Sequence, residues 1–315
     1  MPKITACSTL AFSLSTLEVA LEHIQSYGVR KVEIADMLTH SKHFQIDDVD
    51  PLKVRELLQR YALAPVAANV CSIAAFDSNY GQAPVETQSA AETEEIKAGK
   101  RERVFYQLLD PVQAEIYRKR AEKLIEKAQL AGIPKVTLQG GRRTQITDIE
   151  KDLFAAARVL DQLAAFAQAR GVQILLEMPH VWGIYYDLET TKKLLSLLSS
   201  ESIGVLIDST HWHVAGYDID DYLDFLGSRL RHIHLRDAAG KDTFAGNYEL
   251  EKTPGRGEVD FAKLGQSLDA HHYQGEVTLE TEYKNYKSTE EVDRENLYAL
   301  RYLKSIGWHV ASSKI

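Results

Sequence analysis

Four consecutive apolar runs in the second half of the chain end in side chains able to hold a cation. Leu175-Leu176 leads into Glu177-Met178-Pro179-His180, and Val205-Leu206-Ile207 leads into Asp208-Ser209-Thr210-His211. The third run reads His232-Ile233-His234-Leu235-Arg236-Asp237, and the fourth Val277-Thr278-Leu279-Glu280-Thr281-Glu282. A carboxylate ending an apolar strand is costly to bury unless it is paired or bound to a cation. Glu177 alone reads equally well as half of a structural ion pair. A Glu, an Asp, a His and a Glu on four successive runs are much harder to assign to coincidence. If the runs are neighbouring parallel strands, their C-terminal ends share one rim and these side chains can meet around one ion. Three carboxylates and an imidazole make a hard, oxygen-rich site that suits one divalent ion, Mn2+ first, with Mg2+, Co2+ or Zn2+ also accommodated. His232 and His234 share strand parity, as do Glu280 and Glu282, so parity alone leaves the ligand in each pair open.

The rest of the sequence supplies elements to position them. An amphipathic helix, a glycine and a short β-branched run recur: Tyr27-Gly28-Val29 before Lys31-Val32-Glu33-Ile34, Ala131-Gly132-Ile133 before Lys135-Val136-Thr137-Leu138, and Arg170-Gly171-Val172 before Gln173-Ile174-Leu175. Glycine suits the left-handed position that ends a helix, and short apolar runs suit strands buried on both faces. Strands are expected at 3–8, 30–36, 63–70, 134–139, 172–177, 203–208, 231–236 and 275–282. Helices are expected at 15–27, 50–60, 111–131, 148–170, 188–199, 219–227, 260–271 and 288–306. Ser15-Thr16-Leu17-Glu18 and Thr147-Asp148-Ile149-Glu150 have the spacing of capping boxes. Leu153, Ala157, Leu160, Ala164 and Ala167 trace one apolar stripe. Eight βα units predict an α/β fold, a (β/α)8 TIM barrel forming a single domain over 1–315. Two connections exceed what a barrel needs: an insertion over 71–110 after strand three, with a polar piece from Gln82 to Arg103, and a loop over 237–259 after strand seven. Both follow strand C-termini, the active face of such barrels.

Composition narrows the function. The chain has 315 residues, 44% of them hydrophobic and 26% charged, as a globular protein with an ordinary core does. A formal net charge of −8 argues against a nucleic-acid partner, which calls for a basic face. No run approaches the roughly 20 apolar residues of a membrane span, and the N-terminus lacks a secretory pattern, so a cytoplasmic protein is expected. Cys7 and Cys71 have no metal-binding spacing and read as small buried side chains.

The quoted runs carry a specific resemblance. Glu177, Asp208-x-x-His211, His232-x-His234-x-x-Asp237, Pro254-Gly255-Arg256-Gly257-Glu258-Val259-Asp260-Phe261 and Glu280 resemble the xylose-isomerase-like barrel superfamily, which includes sugar epimerases, hydroxypyruvate isomerase, inosose dehydratase and endonuclease IV. The likeness covers 172–282; the first half matches only in strand–helix rhythm. It implies that Glu177, Asp208, His234 and Glu280 bind the metal and that Glu177 and Glu280 are also the catalytic acid and base. His232 is then a barrel-interior residue. A divalent ion can hold a ketone oxygen and an adjacent hydroxyl, acidifying the C–H between them through the enediolate. His180, His211, Trp182, Arg256, Asn69 and Gln139 are candidates for substrate contact, and Asp237 for bracing its loop. His40, His43, His271, His272 and His309 read as solvated or structural.

The sequence also departs from parts of that family. Ketohexose 3-epimerases carry a glutamate and an arginine where this chain has Gly183 and Gly240. Endonuclease IV needs histidines where Asn69 and Gln139 stand. The expected function is a sugar isomerase or epimerase acting on a ketose or 3-oxo-sugar through an enediolate. The close rival is a lyase using the same start, either a C-glycoside deglycosidase on 3-oxo-glucosides or a dehydratase of the inosose or dehydroshikimate type. A small sugar-like molecule is the expected partner, with no nucleic acid or membrane. Self-association is expected, or a second, different subunit for a deglycosidase.

Overall fold

Alternation at a period of two governs this barrel, because each strand is buried on both faces. The strands are β1 (Ala6–Ser8), β2 (Lys31–Asp36), β3 (Ala64–Val70), β4 (Lys135–Leu138), β5 (Gln173–Glu177), β6 (Gly204–Asp208), β7 (Leu230–Leu235) and β8 (Glu276–Leu279). All pairs are parallel, and the sheet closes in chain order, β8 returning to β1. The computed structural model describes residues 2–37, 40–70, 75–77, 103–105, 108–141, 148–179, 183–242, 247–312 and 314–315.

One parity of each strand joins the apolar layer beneath the helices: Val32 and Ile34, Ala68 and Val70, Val205 and Ile207, Ile233 and Leu235. The other parity fills the lumen. Ala67, Leu175 and Leu206 form a separate, fully buried cluster there. Two residues further along the same strands stand Asn69, Glu177 and Asp208. The pleat therefore places an apolar plug below and polar groups directly above it. Glu33, His232 and His234 share the inward parity of their strands.

The helices are α1 (Leu17–Ser26), α2 (Pro51–Arg60), α3 (Pro111–Ala131), α4 (Ile149–Gln168), α5 (Leu188–Leu197), α6 (Ser209–Ala215), α7 (Ile219–Leu226), α8 (Phe261–Ala270) and α9 (Thr289–Ser305). The α4 stripe expected from spacing is buried along its whole length. Gly132 ends α3 at φ 76°, the left-handed conformation that a side chain disfavours. No helix of the described residues is long and apolar enough to cross a membrane.

The structure corrects several boundaries. Neither expected capping box forms. The α1 cap is Thr16, whose hydroxyl accepts from Val19 N, and the α4 cap is Asp148, accepting from Glu150 and Lys151 N. Each cap lies one residue later than the spacing implied, so Glu18 and Glu150 fall in the first turn, where they complement the helix dipole instead. Strand one splits at Thr5, and Lys3–Ile4 pairs outside the barrel with His309–Val310. Strand eight ends at Leu279, leaving Glu280 and Glu282 beyond it.

α6 was not anticipated, because its seven residues are too few to show a period; Asp208 caps it. The expected loop over 237–259 is largely an antiparallel hairpin of Asp237–Asp242 with Asn247–Lys252. Its alternation is short, resting on Tyr248 and Leu250 between charged residues, and two register shifts interrupt it. Within 71–110, Ala75–Asp77 pairs antiparallel with Arg103–Phe105 before α3 begins. Cys7 is buried and burial pushes its thiol up to about 12, whereas Cys71 lies outside the described residues.

Leu160 sits fully buried at the centre of the α4 stripe. Leu160→Ala is expected to lower stability by about 2–5 kcal/mol, read as a shift in urea midpoint by circular dichroism.

Candidate metal centre

β5, β6 and β7 deliver Glu177, Asp208 and His234 to the C-terminal rim of the barrel. Register sets this: His234 stands opposite Asp208, and Glu177 opposite Leu206 two residues below that aspartate. Each of the three offers one ligating atom, and these atoms lie within 4.8 Å of one another. Glu280 joins from the side, its Oε2 3.1 Å from His234 Nδ1. All four are buried. His234 Nδ1 is a buried nitrogen without a hydrogen-bond partner.

The electrostatics favour a cation. Burial, and then the charge on Asp208, pushes the Glu177 carboxyl up to about 8. Burial works against a charged imidazole at His234, yet Glu280 and Glu33 raise it well above the usual range. Burial would also raise Asp208, but Arg236 first, then His211 and His234, hold it well below the carboxylate range. An orphaned nitrogen among crowded buried carboxylates fits a divalent ion.

Hydrogen-bond partners separate the two members of each pair that strand parity left open. His232 lies one layer deeper, its Nε2 2.8 Å from Thr278 Oγ1, as a barrel-interior residue should. Glu282 is engaged elsewhere: Oε2 accepts from Arg236 Nη1 at 2.6 Å, and Oε1 is 2.8 Å from His40 Nε2. His234 and Glu280 remain at the group.

The surrounding candidates divide. His211, on α6, places Nδ1 3.6 Å from Glu177 Oε1, and burial lowers its imidazole to about 4, so it is neutral at pH 7. Asn69 Nδ2 donates to Glu280 Oε1 at 2.7 Å and so braces a candidate ligand, while its Oδ1 is buried without a hydrogen-bond partner. Gln139 stands at the rim just past β4, its carbonyl accepting from Tyr117 OH. Arg256 does not reach the site. Its guanidinium bonds both oxygens of Glu295 on α9 and lies over the Tyr298 ring, 4.3 Å from the centroid. Asp237 braces its loop as expected: its carboxylate accepts from the backbone of Ala238, Gly255, Gly257 and Val259. His180 and Trp182 lie outside the described residues.

Three features escaped the sequence reading. Arg236 Nη2 donates to Asp208 Oδ2 at 2.8 Å while Nη1 holds Glu282. It shares parity with His232 and His234, which was the available clue. Glu33 Oε2 lies 2.9 Å from His234 Nε2. A glutamate in the middle of a doubly buried strand was the hint, overlooked because it does not end the run. His40, read as solvated or structural, is the partner of Glu282 at the rim.

With this fold and rim, the chain belongs to the xylose isomerase-like TIM barrel family, whose model matches residues 21–306. Curated relatives include inosose dehydratase of Clostridium perfringens, 26% identical over 162 residues covering 46% of this chain and 54% of that protein. Fructoselysine 3-epimerase of Escherichia coli O157:H7 is 26% identical over 133 residues, 41% of this chain and 46% of that protein. The chain thus spans about half the length of these curated relatives. Among solved structures, a D-tagatose 3-epimerase-like protein superposes with TM-score 0.69 at 18% identity over 97% of both chains. The IolI protein, solved with a zinc atom, gives TM-score 0.69 at 18% identity over 97% of this chain and 98% of that one. At such identities the two structures share the fold.

Arg236 bridges two buried carboxylates. Arg236→Met is expected to cost about 3–5 kcal/mol in urea unfolding of chelator-treated protein, because two charges lose their partner.

Proposed function

We propose that the chain is a divalent-metal-dependent enzyme that moves a proton on the carbon beside the carbonyl of a ketose or 3-oxo-sugar, yielding an isomer or epimer. The observation that carries this reading is the convergence of Glu177, Asp208 and His234 at one point, with Glu280 against the same imidazole. A divalent ion held by these four would stabilise the enediolate that forms when the proton leaves. Mn2+ suits three oxygen donors and one nitrogen, and the zinc-bearing IolI relative supports a divalent ion in general.

The chain's own groups supply the proton handling. Glu177 and Glu280 enter from β5 and β8, on either side of Asp208 and His234, so two carboxylates flank one substrate carbon. One takes the proton and the other returns it. His211, neutral and beside Glu177, orients a substrate oxygen. Ala67, Leu175 and Leu206 pack as an apolar cluster in the lumen two residues below Asn69, Glu177 and Asp208.

A lyase outcome is the second reading, and one position favours it. Gly240 sits in the rim hairpin opposite Tyr248 at φ 81°, and a Cβ there would stand 2.2 Å from Asn247 O. The hairpin therefore admits no arginine where ketohexose 3-epimerases carry one, so the substrate wall differs from theirs. Loss of a β-substituent from the same intermediate would give dehydration or release of an aglycone, and a dehydratase is among the relatives.

Protein purified without chelator is expected to carry about one equivalent of divalent metal, with Glu177→Gln losing most of it by elemental analysis. Stoichiometric metal in neither protein would overturn the site. In D2O with Mn2+, ketoses or 3-oxo-glycosides are expected to take up deuterium at the carbon beside the carbonyl. Product mass then separates the outcomes: epimers differ only by that label, dehydration products lose water, and deglycosylation frees an aglycone. An absence of exchange over a broad panel would remove the mechanism.

A further inference from the structure

His234 offers its two nitrogens to two carboxylates. Nδ1 faces Glu280 Oε2 on the side of the candidate ligands, and Nε2 lies 2.9 Å from Glu33 Oε2. Glu33 reaches across the lumen from β2, three strands away round the barrel, and both side chains are fully buried. Burying a carboxylate is costly and persists only with a partner of good geometry.

Two alternatives can be weighed against a hydrogen bond. Glu33 could serve His232, but that separation is longer, 3.3 Å, and His232 Nε2 is already 2.8 Å from Thr278 Oγ1. Glu33, His232 and His234 could also hold a second cation, since their ligating atoms lie within 4.8 Å of one another. On a tetrahedral ion with bonds of about 2.0–2.2 Å, however, two donor atoms stand more than 3 Å apart. The observed 2.9 Å is an ordinary N–H···O length.

We infer that Glu33 is the positioning residue of the metal centre. Its carboxylate accepts the Nε2–H of His234 and fixes the ring so that Nδ1 faces Glu177, Asp208 and Glu280, ready to ligate when a cation binds. A neutral imidazole carries one proton, and the bond made by one nitrogen decides what the other can ligate. Glu33 therefore aims the Nδ1 of His234 at the other three candidate ligands. The inference rests on the metal site proposed above and adds the residue that aims its only nitrogen.

Competition against a chelator, with Co2+ as the probe, tests this in wild type, Glu33→Ala, Glu33→Gln and Glu177→Gln. Glu33→Ala is expected to weaken Co2+ binding about 10–100-fold and to alter the visible d–d band. Glu33→Gln, which keeps an acceptor oxygen without the charge, is expected to fall between. A folded Glu33→Ala protein with wild-type affinity and spectrum would overturn the inference. So would a wild type that binds two equivalents and a Glu33 variant that binds one. If Glu177→Gln weakens binding and Glu33→Ala does not, the ligand group stands and only the role of Glu33 falls. If neither weakens it, the site itself is wrong. Histidine 15N resonances of unmodified Zn2+-loaded protein decide the matter even if every Glu33 variant misfolds. A metal-bound Nδ1 with a protonated Nε2 is expected at His234, and a metal-bound Nε2 would refute it.

Discussion

Like charges held close together away from water are the constraint around which this molecule is arranged. Glu33, Glu177, Asp208 and Glu280 are all buried within reach of one imidazole, His234. Such a cluster is unstable unless positive charge and directed hydrogen bonds offset it. The protein provides part of this itself. Arg236 ties Asp208 to Glu282, Asn69 holds one oxygen of Glu280, and Thr210 bonds Asp208 through both its amide and its hydroxyl. What is left over is a surplus of carboxylate beside the Nδ1 of His234, for which a divalent ion is the natural complement.

The frame makes that arrangement rigid. Strand ends are better platforms than loops for a group that must hold its geometry, and the inward parity of the strands brings the key carboxylates and the imidazole to the rim with little help from loop conformation. Loops enter at the next level. Asp237 gathers four backbone N–H groups and so clamps the turn around Gly255 and Gly257 to the end of β7. The adjoining hairpin reaches the rim with a glycine at 240 that cannot be replaced by a larger residue without moving the opposite strand. The candidate metal ligands thus sit on the barrel, and the hairpin adds a sterically fixed edge beyond β7.

Much of this was legible in the sequence, for a definable reason. The barrel follows from short doubly buried runs alternating with amphipathic helices, and the rim residues follow from carboxylates that end those runs. The resemblance then distinguished His234 from His232 and Glu280 from Glu282, which strand parity could not do. Contacts across the lumen were not legible. Glu33 and His234 are 201 positions apart, and nothing local to either predicts that they meet. Arg256 misled for the complementary reason: its place in a glycine-rich turn suggested reach toward a ligand, but Glu295 and Tyr298 on α9 provide a nearer ion-pair and stacking partner. The hairpin over 237–252 was hidden because its alternation is short, with Tyr248 and Leu250 standing between charged residues.

Ala67, Leu175 and Leu206 fill part of the lumen with apolar side chains immediately under the polar rim. The polar groups of the rim are thus open to approach from the C-terminal end of the barrel, the end that also carries the hairpin of Asp237–Asp242 and Asn247–Lys252.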